Sequence, residues 1–364
     1  MGLVKSKAAV FVGAGKPLEL WDFDLPNLEA GELLVRMNVT GICGTDVHRW
    51  HNNKTPTPMI FGHENVGIIE KIGKGGVADA IGNELLEGDR VVFGGRMPCG
   101  RCYICTVAQE PTSCEHGLSY GASASTERPF LRGGFANYVH LVQHAKITKI
   151  PDEISTEKAI LAVIGNRTLI QGFEKVGGIQ AGDTVVIQGS GPIGLAALIQ
   201  AKLAGAMRLI IIGAPQERLE VARQIGANET VSIEELHDPD KRVSRIMELT
   251  EGNGGDLVVE ASGGPTAVEE GIRMTRVGGK YLIIGQATDY GPRAINPYHI
   301  ARRQLRVFGS WAAQPVHLYR ALRSMEKFDF PMNRLVTHRF SLADATKGLE
   351  SVENLESIIA VIEQ

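Results

Sequence analysis

Residues 184–194 read Thr184-Val185-Val186-Ile187-Gln188-Gly189-Ser190-Gly191-Pro192-Ile193-Gly194, and the run Leu195-Ala196-Ala197-Leu198-Ile199-Gln200-Ala201 follows without a break. Val185, Val186 and Ile187 are the residues of a strand covered on both faces. The run after Gly194 is rich in good helix formers. A strand that enters a glycine loop and opens a helix is the context in which the spacing G-x-G-x-x-G carries chemistry. Gly189 makes the tight turn, Gly191 lets a pyrophosphate approach the backbone, and Gly194 lets helix and strand pack closely. Pro192 and Ile193 open the helix, whose amino end favours negative charge. Gly189, Gly191, Pro192, Ile193 and Gly194 are therefore the expected dinucleotide-binding loop.

Working outward, Leu209–Ile212, Leu257–Ala261 and Tyr281–Gly285 are further short aliphatic runs, and Ile193–Gly205, Gln216–Ile225 and Pro265–Arg276 carry helical patterns. Strands alternating with helices predict an α/β fold with a doubly wound parallel sheet of Rossmann type over residues 165–310. Upstream, Lys7–Val12 and Leu33–Val39 read as strands bounded by Gly and Pro, and the texture stays β-rich and irregular to about Pro151. Residues 1–164 thus form a second, β-rich domain. The looser segment 311–364, after the run Val307–Trp311, is expected to return to it. Gly13-Ala14-Gly15-Lys16 and Gly73-Lys74-Gly75-Gly76 have no helix behind them and are predicted to be hairpin turns.

Bulk properties agree with two domains. At 364 residues the chain can bury two cores. A net charge of -3 lacks the basic surface that a nucleic-acid partner requires. No apolar run approaches the roughly 18 residues of a membrane span, and the apolar stretch near the amino terminus is shorter than the ~7–15 residues of a secretory signal. Met1-Gly2-Leu3-Val4-Lys5-Ser6 matches a short myristoylation pattern, but the residues after it read as a strand. A cytoplasmic location, with no membrane or nucleic-acid partner, is expected. Four of the five cysteines fall between 99 and 114, which in a reducing compartment points to metal rather than disulfides.

Cys99-x2-Cys102-x2-Cys105-x8-Cys114 can close a tetrahedron around one Zn²⁺ with no open position, the chemistry of a structural site. The fifth cysteine lies in Gly41-Ile42-Cys43-Gly44-Thr45-Asp46-Val47-His48, and twenty residues after it comes Gly62-His63-Glu64. A catalytic zinc needs thiolate or imidazole ligands plus an open position, which Cys43 and His63 begin to supply. Each alone is ambiguous, since a single cysteine is usually a small apolar filler. In the cofactor region, the end of the second strand is where an acid usually holds the adenosine ribose hydroxyls, and Gly213 stands there in Ile212-Gly213-Ala214-Pro215-Gln216-Glu217-Arg218. Without the carboxylate a 2′-phosphate is not repelled, yet no Lys or Arg fills the next four positions. Arg218 is the first cation within reach. The two observations nearly cancel, leaving NAD or NADP, with NAD marginally favoured.

In the order and approximate spacing of these elements the whole chain resembles the zinc-containing medium-chain alcohol dehydrogenase/reductase family. The resemblance implies a GroES-like catalytic domain beside the Rossmann domain, two zinc ions per chain and a homodimer or homotetramer. It implies that Cys43 and His63 hold the catalytic zinc, and that Thr45 passes the alcohol proton along the cofactor ribose to His48 and solvent. Asp46, between them, is placed to hydrogen-bond a ligand or to cap the loop. Ile284, Gly285 and Ser310 would line the nicotinamide end through backbone groups. One departure stands out. Aligned on Gly165-Asn166, the family's third ligand falls on Ala162, which has no donor atom. Glu64 is the expected replacement, a carboxylate that suits zinc.

The resulting expectation is oxidation of a primary or secondary alcohol, or the reverse reduction, with Trp50 and Trp311 hinting at a bulky or cyclic substrate. Two alternatives compete. A zinc-independent reductase of activated double bonds is disfavoured by Cys43, Thr45, His48 and His63 together, and a non-enzymatic cofactor-sensing protein is conceivable only through the lost ligand at Ala162.

Overall fold

Val185, Val186 and Ile187 are fully buried in the middle of a six-stranded parallel sheet. The computed structural model describes residues 5–289 and 291–364, so the Met1–Val4 part of the amino-terminal pattern lies outside the described residues. The chain divides into two units. The first comprises residues up to Ile164 with Ala313–Glu326 and Pro331–Gln364; the second comprises Gly165–Ala312 with Lys327–Phe330.

The strands of the second unit, numbered in chain order, are β1 (Thr184–Gln188), β2 (Arg208–Gly213), β3 (Glu229–Ser232), β4 (Gly255–Glu260), β5 (Thr275–Ile283) and β6 (Arg306–Gly309). Their spatial order is β3-β2-β1-β4-β5-β6. The order reverses between β1 and β4, and at such a switch point the carboxyl ends of the strands open a crevice for a dinucleotide. Helices Pro192–Leu203, Gln216–Ile225 and Ala267–Met274 follow β1, β2 and β4. β3 escapes the aliphatic pattern because it is an edge strand, Glu-Thr-Val-Ser, with only Val231 and Ser232 buried. β5 starts earlier than its aliphatic run, since Thr275 already pairs with Gly255 across a bulge. Trp311 and Ala312 stay with this unit, where the Trp311 carbonyl accepts a hydrogen bond from Gln171 Nε2 at 3.3 Å.

In the first unit a seven-stranded sheet is built around Leu33–Ile42, which pairs with Glu64–Ile72 on one side and with Tyr138–Leu141 and Ile359–Glu363 on the other. Neighbours on both edges explain why this strand is buried almost throughout. The carboxyl-terminal strand returns to this sheet, as the loosened pattern after 311 predicts. Lys5–Phe11 and Glu19–Asp24 pair antiparallel around the Gly13–Lys16 turn, where the Lys16 N–H donates to the Gly13 carbonyl at 3.2 Å. Gly73–Gly76 is not a tight hairpin: a longer excursion, closed by a bridge between Ala78 and Glu84, separates Glu64–Ile72 from its partner Arg90–Gly94. Trp50 does not line a pocket. It is 5% exposed within the core that also holds Phe11, Ile60 and Leu349, and its indole N–H donates to the Lys16 carbonyl at 2.7 Å. Among the described residues no helix is long and apolar enough to cross a membrane.

Candidate active site and metal centres

The segment after Leu33–Ile42 turns into the helix Gly44–His51 at Cys43, whose extended backbone (φ −96°, ψ 150°) marks the cap position. Asp46, fully buried, does two things there. Its Oδ2 accepts the Cys43 N–H at 3.0 Å, and its Oδ1 lies 3.3 Å from His63 Nδ1. The cap and the ligand-orienting group, alternatives in the sequence, are the two oxygens of one carboxylate. With Nδ1 facing Asp46, the Nε2 atom of His63 is left as metal donor. Burial pulls the His63 pKa down, but the Asp46 carboxylate and Cys43 outweigh it and raise it well above the usual histidine value. Thr45 and His48 lie three residues apart on one helix face. The Thr45 hydroxyl is 3.6 Å from Cys43 Sγ, while His48 is exposed. Partial burial, then the neighbouring His51, lowers the His48 pKa and favours a neutral, proton-accepting ring.

Glu64 begins the strand Glu64–Ile72 and is 6% exposed. One donor atom each from Cys43, His63 and Glu64 lies within 4.8 Å of the others. Zinc bonds of about 2.0–2.3 Å in a tetrahedron place neighbouring donors roughly 3.3–3.8 Å apart, so a thiolate, an imidazole and a carboxylate at this spacing fit that ion and leave a fourth position. Ala162 is fully buried at the start of a π-helical turn, Ala162–Asn166, and supplies no donor. Gly41 makes the carboxylate's place: a Cβ there would stand 2.7 Å from Glu64 Oε2 and 2.9 Å from Ile164 Cδ1. The carboxylate therefore borders the segment that carries Ala162.

Cys99, Cys102, Cys105 and Cys114 bring their sulfurs within 4.8 Å of one another, and the Cys102 and Cys114 sulfurs are 3.8 Å apart, the edge of a tetrahedron with bonds of about 2.3 Å. None of the five cysteines is in a disulfide. Hydrogen bonds from backbone N–H groups, led by Arg101, bring the Cys99 thiol down to about 6, and desolvation pushes Cys105 up to about 12. Arg96, overlooked in the sequence, ties the lobe together by donating to the carbonyls of Thr112 and Cys114 and to Ser119 Oγ.

In the second unit Gly189 has φ +109°, and a Cβ on Gly194 would lie 1.8 Å from the Gly189 carbonyl oxygen, so both positions admit only glycine. At Gly191, the cap of the helix Pro192–Leu203, a Cβ would meet nothing closer than Arg218 Nη1 at 3.9 Å. Open space over helix N–H groups, beside a guanidinium, has the chemistry to hold an anion. Ile284 and Gly285 give their N–H groups to the Glu260 carbonyl, each at 2.9 Å, Ser310 gives its own to the Ile283 carbonyl at 3.1 Å, and the Gly285 carbonyl accepts the Ala287 N–H at 2.8 Å.

Residues 29–152 match the family model for the alcohol dehydrogenase GroES-like domain, and residues 192–327 match that for zinc-binding dehydrogenase. Over 352 residues the chain is 32% identical to 5-exo-hydroxycamphor dehydrogenase of Pseudomonas putida, covering 96% of each protein. The chain belongs to the zinc-containing medium-chain alcohol dehydrogenase family. It is also 31% identical to L-threonine 3-dehydrogenase of Bacillus subtilis over 91% of this chain and 90% of that one. The crystal structure of an alcohol dehydrogenase from Thermotoga maritima superposes with a TM-score of 0.92 at 30% identity, covering 99% of both chains. This medium-chain alcohol dehydrogenase is accordingly a zinc-type oxidoreductase that acts on CH–OH groups with NAD(P).

The end of β2 in the alcohol dehydrogenase is packed closely against the glycine loop. Gly213 ends β2 as predicted, but an acid cannot simply be restored there. A Cβ would lie 2.3 Å from Ser190 Oγ and 2.8 Å from Ser190 N, inside the glycine loop 189–194. The lost acid and the glycine loop are coupled by contact, which no spacing in the sequence reveals.

Proposed function

We propose that the chain oxidises a secondary alcohol on a bulky or cyclic skeleton, and reduces the ketone in reverse, at a zinc held by Cys43, His63 and Glu64. The convergence of these three donors, with the Thr45 hydroxyl beside Cys43 Sγ, supports this reading. Zinc bound there supplies Lewis acidity, lowering the pKa of the substrate hydroxyl. Thr45 takes the hydroxyl proton as it hands its own on by way of the cofactor ribose, and the neutral, exposed ring of His48 delivers it to solvent. Asp46 holds His63 in one tautomer and Cys43 at the head of the helix. A second zinc, on Cys99, Cys102, Cys105 and Cys114, holds the lobe and takes no part in the chemistry.

The cofactor is bound by Gly189, Gly191, Pro192, Ile193 and Gly194, with Arg218 and the end of β2 at Gly213 on the adenosine side and Ile284, Gly285 and Ser310 on the nicotinamide side. No carboxylate opposes a 2′-phosphate at Gly213 and Arg218 stands beside the loop, so the site accepts NADP as well as NAD. Relatives named for hydroxycamphor and for threonine frame the substrate. The bulky-alcohol reading follows the first. The β6 edge, with Val307 41% exposed, supports pairing of two copies, in a homodimer or a homotetramer, and a cytoplasmic location is part of the same proposal.

Initial rates with bicyclic and monocyclic secondary alcohols, primary alcohols and L-threonine, each with NAD and NADP, test the proposal. The highest kcat/KM is expected for a cyclic secondary alcohol. A preference for L-threonine would overturn the substrate assignment, and activity undiminished after complete zinc removal would overturn the metal-dependent one.

A further inference from the structure

A buried carboxylate with no place in the chemistry above stands at the carboxyl end of β4. Glu260 has no solvent exposure. Its Oε1 accepts the Ser262 N–H and O–H, both at 2.8 Å, and the Gly263 N–H at 2.7 Å, while its Oε2 has no hydrogen-bond partner. Burying a carboxylate with one oxygen unsatisfied costs stability, and an apolar side chain of similar volume would avoid that cost. What the carboxylate does secure is the turn 261–263.

That turn is packed, backbone on backbone, against both glycines that border the cofactor. A Cβ at Gly189 would lie 2.9 Å from the Ala261 carbonyl oxygen, and one at Gly285 would lie 2.6 Å from Gly263 N and 2.7 Å from Ser262 N. The Glu260 main-chain carbonyl meanwhile takes the N–H groups of Ile284 and Gly285. Glu260 thus fixes, through one residue, the turn behind the first loop glycine and the strand end expected to face the nicotinamide.

We propose that Glu260 is a positioning residue for the nicotinamide half of the cofactor, acting through the three hydrogen bonds its Oε1 accepts from Ser262 and Gly263. The proposal rests on the assignment of the glycine loop to a nicotinamide dinucleotide. Without the carboxylate the turn loosens, Gly285 loses its support, and the nicotinamide is held less well. The adenosine end, at Gly213 and Arg218 on β2 and the helix after it, is disturbed less.

Fluorescence titration of the full chain with NADH and NADPH, and competition by AMP as a probe of the adenosine end, tests this. Glu260→Ala removes three hydrogen bonds to a buried carboxylate and should weaken the better dinucleotide by about tenfold or more, and AMP by less. Glu260→Gln keeps an oxygen that accepts the same three bonds and should bind like the parent. Ser262→Ala removes one of the three and should cost about threefold, part of the worth of a hydrogen bond to a carboxylate, again more for the dinucleotide than for AMP. Equal loss of AMP and dinucleotide, or unchanged dinucleotide binding in Glu260→Ala, would overturn the inference. So would a Glu260→Gln variant as weak as Glu260→Ala. If Glu260→Ala does not fold, Ser262→Ala decides: unchanged NADH and NADPH affinity refutes the role. A parent chain that binds neither dinucleotide would overturn the cofactor assignment and this inference with it.

Discussion

Gly213→Asp, which the sequence alone would recommend for steering the enzyme to NAD, is expected to damage binding of both cofactors. The added Cβ meets Ser190 Oγ at 2.3 Å, Ser190 Cβ at 2.5 Å and Ser190 N at 2.8 Å. The hydroxyl can rotate aside only by giving up its hydrogen bond to the Ala214 carbonyl, 2.9 Å long. The backbone nitrogen has to retreat by about 0.6 Å before ordinary contact is restored. Ser190 sits between Gly189 and Gly191, so the retreat moves the N–H groups proposed to meet the pyrophosphate. A displacement on that scale costs roughly 10- to 100-fold in kcat/KM. Gly213→Ala should be almost as damaging as Gly213→Asp, because the methyl already makes the overlap, and Ser190→Gly should recover part of the loss in the Ala background. Steady-state rates with NAD and NADP, followed by reduced-cofactor absorbance, provide the assay. A Gly213→Asp enzyme with improved kcat/KM for NAD, beside a neutral Gly213→Ala, would refute the coupling between Gly213 and Ser190.

Cys102→Ser should lower the zinc content from two ions per chain toward one. Zinc binding at such sites is worth about 10–16 kcal/mol in small peptides, and the lobe, with Tyr103 and Val107 exposed, has little apolar packing to replace it; Tm should fall by about 5 °C or more, and an unchanged zinc content with an unchanged Tm would show that the four thiols do not hold metal. A pH effect follows from His140, 3.0 Å from Glu32 in the first unit. Burial, only partly offset by Glu32, lowers the His140 pKa below the usual 6.5; Glu32, despite its own burial, is lowered from 4.5 by hydrogen bonds and by His140 and Arg128. Both groups bind protons more readily in the unfolded chain, so their stabilising contributions are present above pH 6.5 and 4.5 and are lost as pH falls through the folded-state values. Thermal melts should show Tm falling from pH 6.5 downward, with His140→Gln removing the first part of that decline; a parallel decline in parent and variant would assign it elsewhere.

The cofactor unit was legible because β1, β2 and β4 are short aliphatic runs joined by glycines whose positions allow no side chain. β3 was not, since an edge strand needs few apolar residues and Glu229 and Thr230 look like loop. In the first unit Cys43 and His63 were identifiable only together with the cysteine lobe, and Glu64 only because Ala162 lacks a donor. The groups that hold the site in shape were hidden for a common reason. Asp46 reaching His63, Arg96 spanning the lobe, and Glu260 gripping the turn behind Gly285 depend on contacts whose partners lie beyond any local pattern. The two tryptophans show the same limit: nothing in their sequence context separates Trp50, packed against Phe11 and Leu349, from the half-exposed Trp311.

The central claim is that a carboxylate stands in for the missing donor at Ala162, and zinc analysis after dialysis of Glu64→Gln tests it most directly. The substitution keeps the shape and removes the charge beside Cys43 and His63. Loss of groups that merely support a ligand weakens affinity about 10- to 100-fold, so loss of a direct ligand should do at least that. The variant should retain the lobe zinc, lose the other and lose activity, and Ala162→Asp in the same background should recover part of both, because Ile164, two residues after Ala162, and Glu64 both border Gly41. Two zinc ions per chain in Glu64→Gln, with activity retained, would contradict the account.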